Sequence, residues 1–262
     1  MNEWTDRLLF QGKREELIEK LRTEKGISEP TLQAMSEIPR HLFISPRLFN
    51  RAYLDTVLPI FSKPNWRRPL NVWRSRSTLS QPATIGIMTD RLELEPTDKV
   101  LEIGTGTGYQ AAILSKLAAE VITVDVFHDL CQAAKERLER LRIDNVNVLV
   151  ADGSIHFTEE DVFDKIIVTA SVPPMPSPHP LLNLLKPGGL AVMPLGGVGG
   201  ENSCQMLKIR ALDDGFVIEE QEEKIYGFVS MQGQLGWRTF TRIFMSFYHE
   251  RAIKQLDNSS NE

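Results

Sequence analysis

"VLEIGTGTGYQ", residues 100–110, decides the fold. The apolar run "KVLEI" reads as a buried strand, runs into Gly104-x-Gly106-x-Gly108 and passes straight into the helical segment "YQAAILSKLA". Glycines let the backbone turn tightly and approach a ligand, and free N–H groups at the helix start favour polar or anionic groups. A dinucleotide fingerprint requires a small residue at position 109, where this chain has Tyr109. The GxGxG spacing therefore disfavours a nicotinamide dinucleotide and fits a smaller nucleoside ligand.

Outward from the loop the same alternation continues. "EVITVDV" is a second buried strand, "LCQAAKERLERL" a helix, "VNVLVAD" and "DKIIVTA" strands, and "PLLNLL" a short helix ended by Lys186-Pro187-Gly188-Gly189 before the strand "LAVMPL". Apolar strands alternating with helices predict an α/β fold, a doubly wound, mostly parallel, Rossmann-like sheet covered on both faces. After "GGVGGENS", the segments "CQMLKIRAL" and "FVIEEQEEKI" joined through Asp213-Asp214-Gly215 predict antiparallel C-terminal strands at the sheet edge. Upstream, residues 13–24 read as a helix with Leu17, Ile18 and Leu21 inward. Ser28 and Pro30 start a second helix, which Pro39 ends. Residues 40–64 read as irregular, and a further helix begins at Pro82. Three regions are expected: an N-terminal helical extension and acceptor-site segment over 1–81, a ligand-binding domain over 82–237, and a C-terminal helix and tail over 238–262.

The 262 residues allow one large domain with a full core. A net charge of −5 argues against nucleic acid as a partner. No apolar run approaches the ~20 residues of a membrane helix, so no membrane partner is expected. Cys131 and Cys204 stand far apart without metal-ligand spacing, which points to a reducing, cytoplasmic setting and no metal. The five histidines are scattered and read as structural or surface residues.

Three acids sit at successive strand ends. Asp125, seventeen residues beyond Gly108, can accept both hydroxyls of a ribose. Glu102 lies beside the loop, placed to meet a cationic amino-acid head group, and Asp152 with Gly153 could read an adenine amino group. The alternative is that Asp125 and Asp152 cap the following helices. The pattern resembles S-adenosylmethionine-dependent methyltransferases.

Over roughly residues 30–237 the resemblance narrows. "MSEIPRHLFIS", "AYLDTVLPI", "LSQP", "VLEIGTGTGYQAAIL", "FDKIIVTASVPPMP", "LLKPGGLAVMPLG" and "FVSMQGQLGW" occur in the order found in protein-L-isoaspartate O-methyltransferases. That resemblance implies transfer of a methyl group from S-adenosyl-L-methionine to the side-chain carboxylate of L-isoaspartyl residues, a protein-repair reaction. An acceptor carboxylate is already ionised at neutral pH, so no general base is required. It implies Ser80 as the catalytic residue that hydrogen-bonds and aims the acceptor, although Ser80 before Gln81-Pro82 is also a good helix N-cap. Cofactor contacts are implied for Glu102, Gly104, Thr105, Gly106, Gly108, Tyr109, Gln110, Asp125, Val126, Asp152, Gly153 and Thr169. Acceptor contacts are implied for Gln81, Asp55, Ala170, Phe228 and Val229, the last two on the strand edge "FVSM" along which an acceptor peptide would lie.

The chain departs from the family between Ile60 and Ser80. Arg76-Ser77-Thr78-Leu79 stands where Gly-Gln-Thr-Ile is typical, after an inserted basic and aromatic loop, 61–77, that carries Trp66, Trp73, Arg67, Arg68, Arg74 and Arg76. Such a loop reads either as a surface flap or as a lid that grips acidic acceptor peptides. Two further readings of function remain: a same-fold enzyme dedicated to an aspartate of one acidic peptide or to another carboxylate, and a cofactor-binding module without turnover. Phe240, Ile243, Phe244 and Phe247 share one helical face, which would pack on the domain or support a homodimer of an otherwise monomeric protein.

Overall fold

The computed structural model describes residues 3–60, 77–158, 162–174, 179–196 and 202–237. Two helices come first. α1 (Glu3–Lys25) begins well before residue 13, because Phe10 continues the buried face of Leu17 and Leu21. α2 (Glu29–Glu37) follows Ser28, whose backbone N–H and hydroxyl both donate to Asp90, at 2.8 and 2.7 Å. No helix among the described residues is long and apolar enough to cross a membrane.

Residues expected to be irregular contain 3-10 turns at Arg40–Phe43 and Pro46–Arg51 and a short strand, β1 (Leu58–Pro59), which pairs antiparallel with β2 (Thr78–Leu79). The Ile60 N–H donates to the Ser77 carbonyl at 3.1 Å and extends that ladder. Residues 61–76 of the inserted loop 61–77 and the expected C-terminal helix lie outside the described residues.

From here the expected alternation is present. α3 (Pro82–Arg91), β3 (Lys99–Ile103), α4 (Tyr109–Leu114), β4 (Glu120–Asp125), α5 (His128–Arg140), β5 (Val146–Val150), β6 (Phe163–Val168) and β7 (Leu185–Gly196) are followed by the hairpin β8 (Ser203–Leu212) and β9 (Gly215–Gly227). The large sheet has the order β5-β4-β3-β6-β7-β8-β9, parallel from β5 to β7 and antiparallel for the last two strands. Leu181 and Leu182 lie in a 3-10 turn, Pro180–Leu184, rather than an α-helix. Lys186–Gly189, expected as the helix stop, already belongs to β7, at a bulge where the register jumps from Phe163↔Leu185 to Lys165↔Leu190.

Both faces of the sheet are buried. Leu101, Ile103, Ile166 and Val168 face a core shared with the 3-10 turn leucines and Trp237, while Val100, Ile167 and Val192 face Met88, Leu92 and Leu114. A third cluster joins α1, α2 and α3 to Tyr109, Ile113 and Leu138, so the N-terminal segment shares a core with the sheet region. Strand order reverses between β3 and β6, and a ligand crevice is expected at the carboxyl ends of strands at such a switch point.

Candidate active site

A cavity of about 800 Å³, counted with its open mouth, occupies that position. The glycine loop forms one wall. Gly104 and Thr105 donate their N–H groups to the Val124 carbonyl at 2.8 and 3.1 Å, which draws the loop onto the end of β4. Gly104, Gly106 and Gly108 all have positive φ (106°, 52° and 83°), and a Cβ on Gly104 would strike the Thr169 hydroxyl. No other residue type gives this turn without strain.

Asp125, at the end of β4, holds the loop from the other side. Its Oδ2 accepts from the Gly106 N–H at 3.0 Å and its Oδ1 from the Phe127 N–H at 3.1 Å. Burial raises its pKa above the ordinary carboxylate value, against the opposing pull of these backbone donors. Asp125 lines the cavity together with Val126, Phe127 and Gly153, and with Thr169 and Ala170 just beyond β6. Thr169 Oγ1 donates to the carbonyls of Ile103 and Gly104, at 3.1 and 2.8 Å. A Cβ on Gly153 would come within 2.5 Å of Val124 Cγ2 and 2.7 Å of Ile103 Cδ1, two side chains of the cavity lining that pack directly against this glycine. A carboxylate beside the apolar side chains of Ile103, Val124, Val126 and Met231 suits a nucleoside: one diol to hold and one flat apolar ring to cover.

Several expected cofactor contacts are placed elsewhere. Glu102 is not on the cavity wall. It points to the opposite face of β3 from Leu101 and Ile103, is fully buried, and its Oε2 accepts from Thr123 Oγ1 at 2.6 Å. Burial pushes its carboxyl up to about 8, with Asp125 adding in the same direction and the Thr123 hydrogen bond opposing. The carboxyl thus stands behind the loop and off the cavity wall, with Thr123 as partner to Oε2 and no hydrogen-bond partner to Oε1 among the described residues. Thr105 shares the network through Thr123 at 2.8 Å. Tyr109 turns away into the N-terminal core, edge-on to Phe43 at 5.2 Å, and Gln110 donates to Thr89 Oγ1 at 3.0 Å. Gly108 packs against Ala134 of α5.

Asp152 is also committed. Its Oδ1 accepts from the N–H and hydroxyl of Ser154, and its Oδ2 from the Gln234 N–H at 2.6 Å. The carboxylate ties down residues 233–235 instead of facing an adenine. That tie helps to place Val229–Gln232, which line the cavity. Ser171 completes the anchor: its N–H donates to the Val229 carbonyl at 2.7 Å, and its carbonyl accepts from Met231 N at 2.9 Å and from Trp237 Nε1 at 2.9 Å.

A second cleft, of about 870 Å³ on the same measure, adjoins the first and shares Thr78, Thr169 and Val229 with it. Ser80 and Gln81 line this cleft. Gln81, not Ser80, is the N-cap residue of α3, and the cap is supplied from a distance by Asp55. Asp55 Oδ1 accepts from the Ala83 N–H and Oδ2 from Gln81 Nε2, each at 2.9 Å. Both Asp55 oxygens are thus engaged in holding the turn, and the N-cap alternative for Ser80 is replaced by a hydroxyl with no partner among the described residues. Phe228 also lines the cleft, but Asn202 takes its N–H (3.1 Å) and its carbonyl (2.6 Å), so its backbone offers no free edge for an acceptor strand.

Phe127 and Gln232 line the cavity, and Arg40 supports the adjoining cleft from behind, without the sequence having singled them out. Arg40 is fully buried, its Nη2 donates to the Ser80 carbonyl at 2.8 Å, and its guanidinium lies 5.1 Å from the Tyr109 ring centroid. Burial lowers its pKa from the ordinary arginine value. An arginine inside the apolar run "IPRHLFI" was the available signal.

A family model described as protein-L-isoaspartate(D-aspartate) O-methyltransferase matches residues 12–235. Protein-L-isoaspartate O-methyltransferase of Syntrophus aciditrophicus is 37% identical over 231 residues, 87% of this chain and 97% of that protein. Protein-L-isoaspartate O-methyltransferase 2 of Archaeoglobus fulgidus is 36% identical over 233 residues, 88% of this chain and 97% of its own. A solved protein-L-isoaspartate O-methyltransferase superposes with a TM-score of 0.72 at 29% identity, covering 85% of this chain and 67% of that one. A Plasmodium falciparum protein, titled as a putative member in complex with S-adenosyl-L-homocysteine, shares the fold with a TM-score of 0.65 at 22% identity, covering 83% of this chain and 97% of that one. The chain belongs to the protein-L-isoaspartate(D-aspartate) O-methyltransferase family.

Proposed function

We propose that the chain is an S-adenosyl-L-methionine-dependent protein carboxyl O-methyltransferase acting on L-isoaspartyl residues of damaged proteins or peptides, a repair reaction. One observation carries this reading. A cavity suited to a nucleoside and a cleft lined by Ser80 meet at Thr169 and Val229. When bound, S-adenosyl-L-methionine supplies an electrophilic methyl group. Asp125 would hold the ribose hydroxyls, and Gly104, Gly106 and Gly153 would admit the ligand close to the backbone. The Ser80 hydroxyl would orient the acceptor carboxylate, from a turn that Arg40 and Asp55 keep in place. Because the acceptor arrives ionised, alignment of the two reactants is the main task left to the protein.

Isoaspartyl proteins are the partners on this reading, with no role for nucleic acid or a membrane. The two cysteines, both buried and unpaired, fit a reducing, cytoplasmic setting. Methyl transfer from labelled cofactor to an isoaspartyl peptide, and none to its aspartyl twin, is the expected outcome. Equal labelling of both peptides, or of neither, overturns the assignment.

A further inference from the structure

The second cleft carries charge that the reaction itself does not use. It runs between α3 and the last residues of β9, with Ser80, Thr169 and Val229 marking the reacting end. Lys25, at the end of α1, and Lys224, on β9, also line it. Both are exposed, neither forms an ion pair among the described residues, and Lys224 Nζ rests 5.0 Å from the Tyr226 ring centroid. By contrast, Lys208 on the neighbouring strand is enclosed by Glu93, Glu219 and Glu220. No aspartate or glutamate is found on the cleft's described lining, although the chain as a whole has a net charge of −5. The cleft is a cationic strip on an acidic protein.

Its two lysines sit away from the chemistry. Ile27 covers Gly86, and Ser28 bonds Asp90, so the end of α1 lies along the later turns of α3, while Ser80 precedes its first turn. Lys224 precedes Val229 by five residues, at most ~17 Å of extended chain. An extended acceptor advances ~7–13 Å in two to four residues, which brings a neighbouring side chain within reach of a lysine stem.

We propose that Lys25 and Lys224 form a carboxylate subsite that favours acceptors with an acidic side chain about two to four residues from the isoaspartyl residue. This rests on the methyl-transfer reading above. It assigns specificity to the cleft itself, independently of the inserted loop.

The test uses the full chain and three isoaspartyl peptides, acetylated and amidated so that flanking side chains carry the only other charge: Glu-flanked, Gln-flanked and Lys-flanked. The wild type should show a KM for the Glu-flanked peptide roughly three- to ten-fold below that for the Gln-flanked one at low salt, as two exposed ion pairs allow. The Lys25→Ala/Lys224→Ala variant should lose that preference, with kcat and the Gln-flanked KM unchanged. The wild-type preference should also fade as salt rises, since exposed charges are screened within ~10 Å at 0.1 M. A wild type indifferent to flanking charge, or a variant that keeps the preference, overturns the subsite while leaving methyl transfer intact. Failure to methylate even the Gln-flanked peptide overturns the methyl-transfer reading and the subsite with it. Should the double variant not fold, Lys25→Gln and Lys224→Gln made singly decide: each should reduce the preference for the Glu-flanked peptide, and full retention in both overturns the subsite.

Discussion

Replacing Glu102 with Gln tests whether a neutral carboxyl stands behind the glycine loop. An ordinary glutamate ionises near 4.5, and burial pushes this one up to about 8. Between those values the folded state keeps a proton that the unfolded state has released, so stability falls as pH rises through the interval. At 1.36 kcal/mol for each pH unit, the loss is on the order of 4 kcal/mol by pH 8. That is a large share of the ~5–15 kcal/mol that holds a typical domain folded. Glu102→Gln keeps an oxygen to accept from Thr123 and cannot ionise. Urea unfolding without cofactor at pH 5, 6.5 and 8 should therefore give two stability curves that nearly coincide at pH 5 and diverge upward. The variant should be the more stable by ~3–4 kcal/mol at pH 8. Asp125 is present in both proteins, so its own titration drops out of the difference to first order. Parallel curves across the range would refute the argument and show that Glu102 is ionised and solvated or paired.

Four further substitutions separate the roles within the site. Asp55→Ala should cost ~1–2 kcal/mol of stability, read in denaturant, because it removes the cap on α3, whereas Ser80→Ala should leave stability nearly unchanged and lower turnover. Asp125→Ala should weaken cofactor binding by ~1–3 kcal/mol in calorimetry; unchanged affinity in a folded variant would remove Asp125 from the ribose position. For Asp152→Ala the expectation is a stability loss of ~1–3 kcal/mol as the Gln234 and Ser154 donors lose their acceptor. Selective loss of affinity for adenine-bearing ligands, without loss of stability, would instead return Asp152 to the cavity.

The sheet was legible because apolar strands alternating with helices leave few alternatives once the glycine loop marks a strand-to-helix turn. The loop also located the cavity, whose wall includes Gly104, Gly106, Asp125, Val126, Gly153, Thr169 and Ala170. Direction was harder to read than position. Glu102 lies between two residues that face the other way, and in a strand buried on both sides its face could have been taken from period-two alternation with Leu101 and Ile103. The bond that occupies Asp152 was illegible for a different reason: its partner Gln234 lies 82 residues later, so no local pattern announces it. Asp55, expected at the acceptor, holds the start of α3 instead, because a capping carboxylate can come from far along the chain, and the antiparallel β1–β2 pair lies between Asp55 and α3 in sequence. The helix expected over 13–24 extends back to Glu3, where Phe10 continues the buried stripe of Leu17 and Leu21.

The anchor at Ser171 bears on the order in which the site comes into being. Val229–Gln232 line the cofactor cavity, and they are fastened by bonds between Ser171 and partners 58 to 66 residues further along, Trp237 being the last. During synthesis none of these contacts can form until residues 229–237 have been added to the chain. During vectorial synthesis β3, β4 and β6 can associate before that wall exists, leaving the crevice open along the side that Val229–Gln232 will occupy. Ligand can stabilise only a state that binds it. The last wall of the cavity is thus added only when residues 229–237 dock on Ser171.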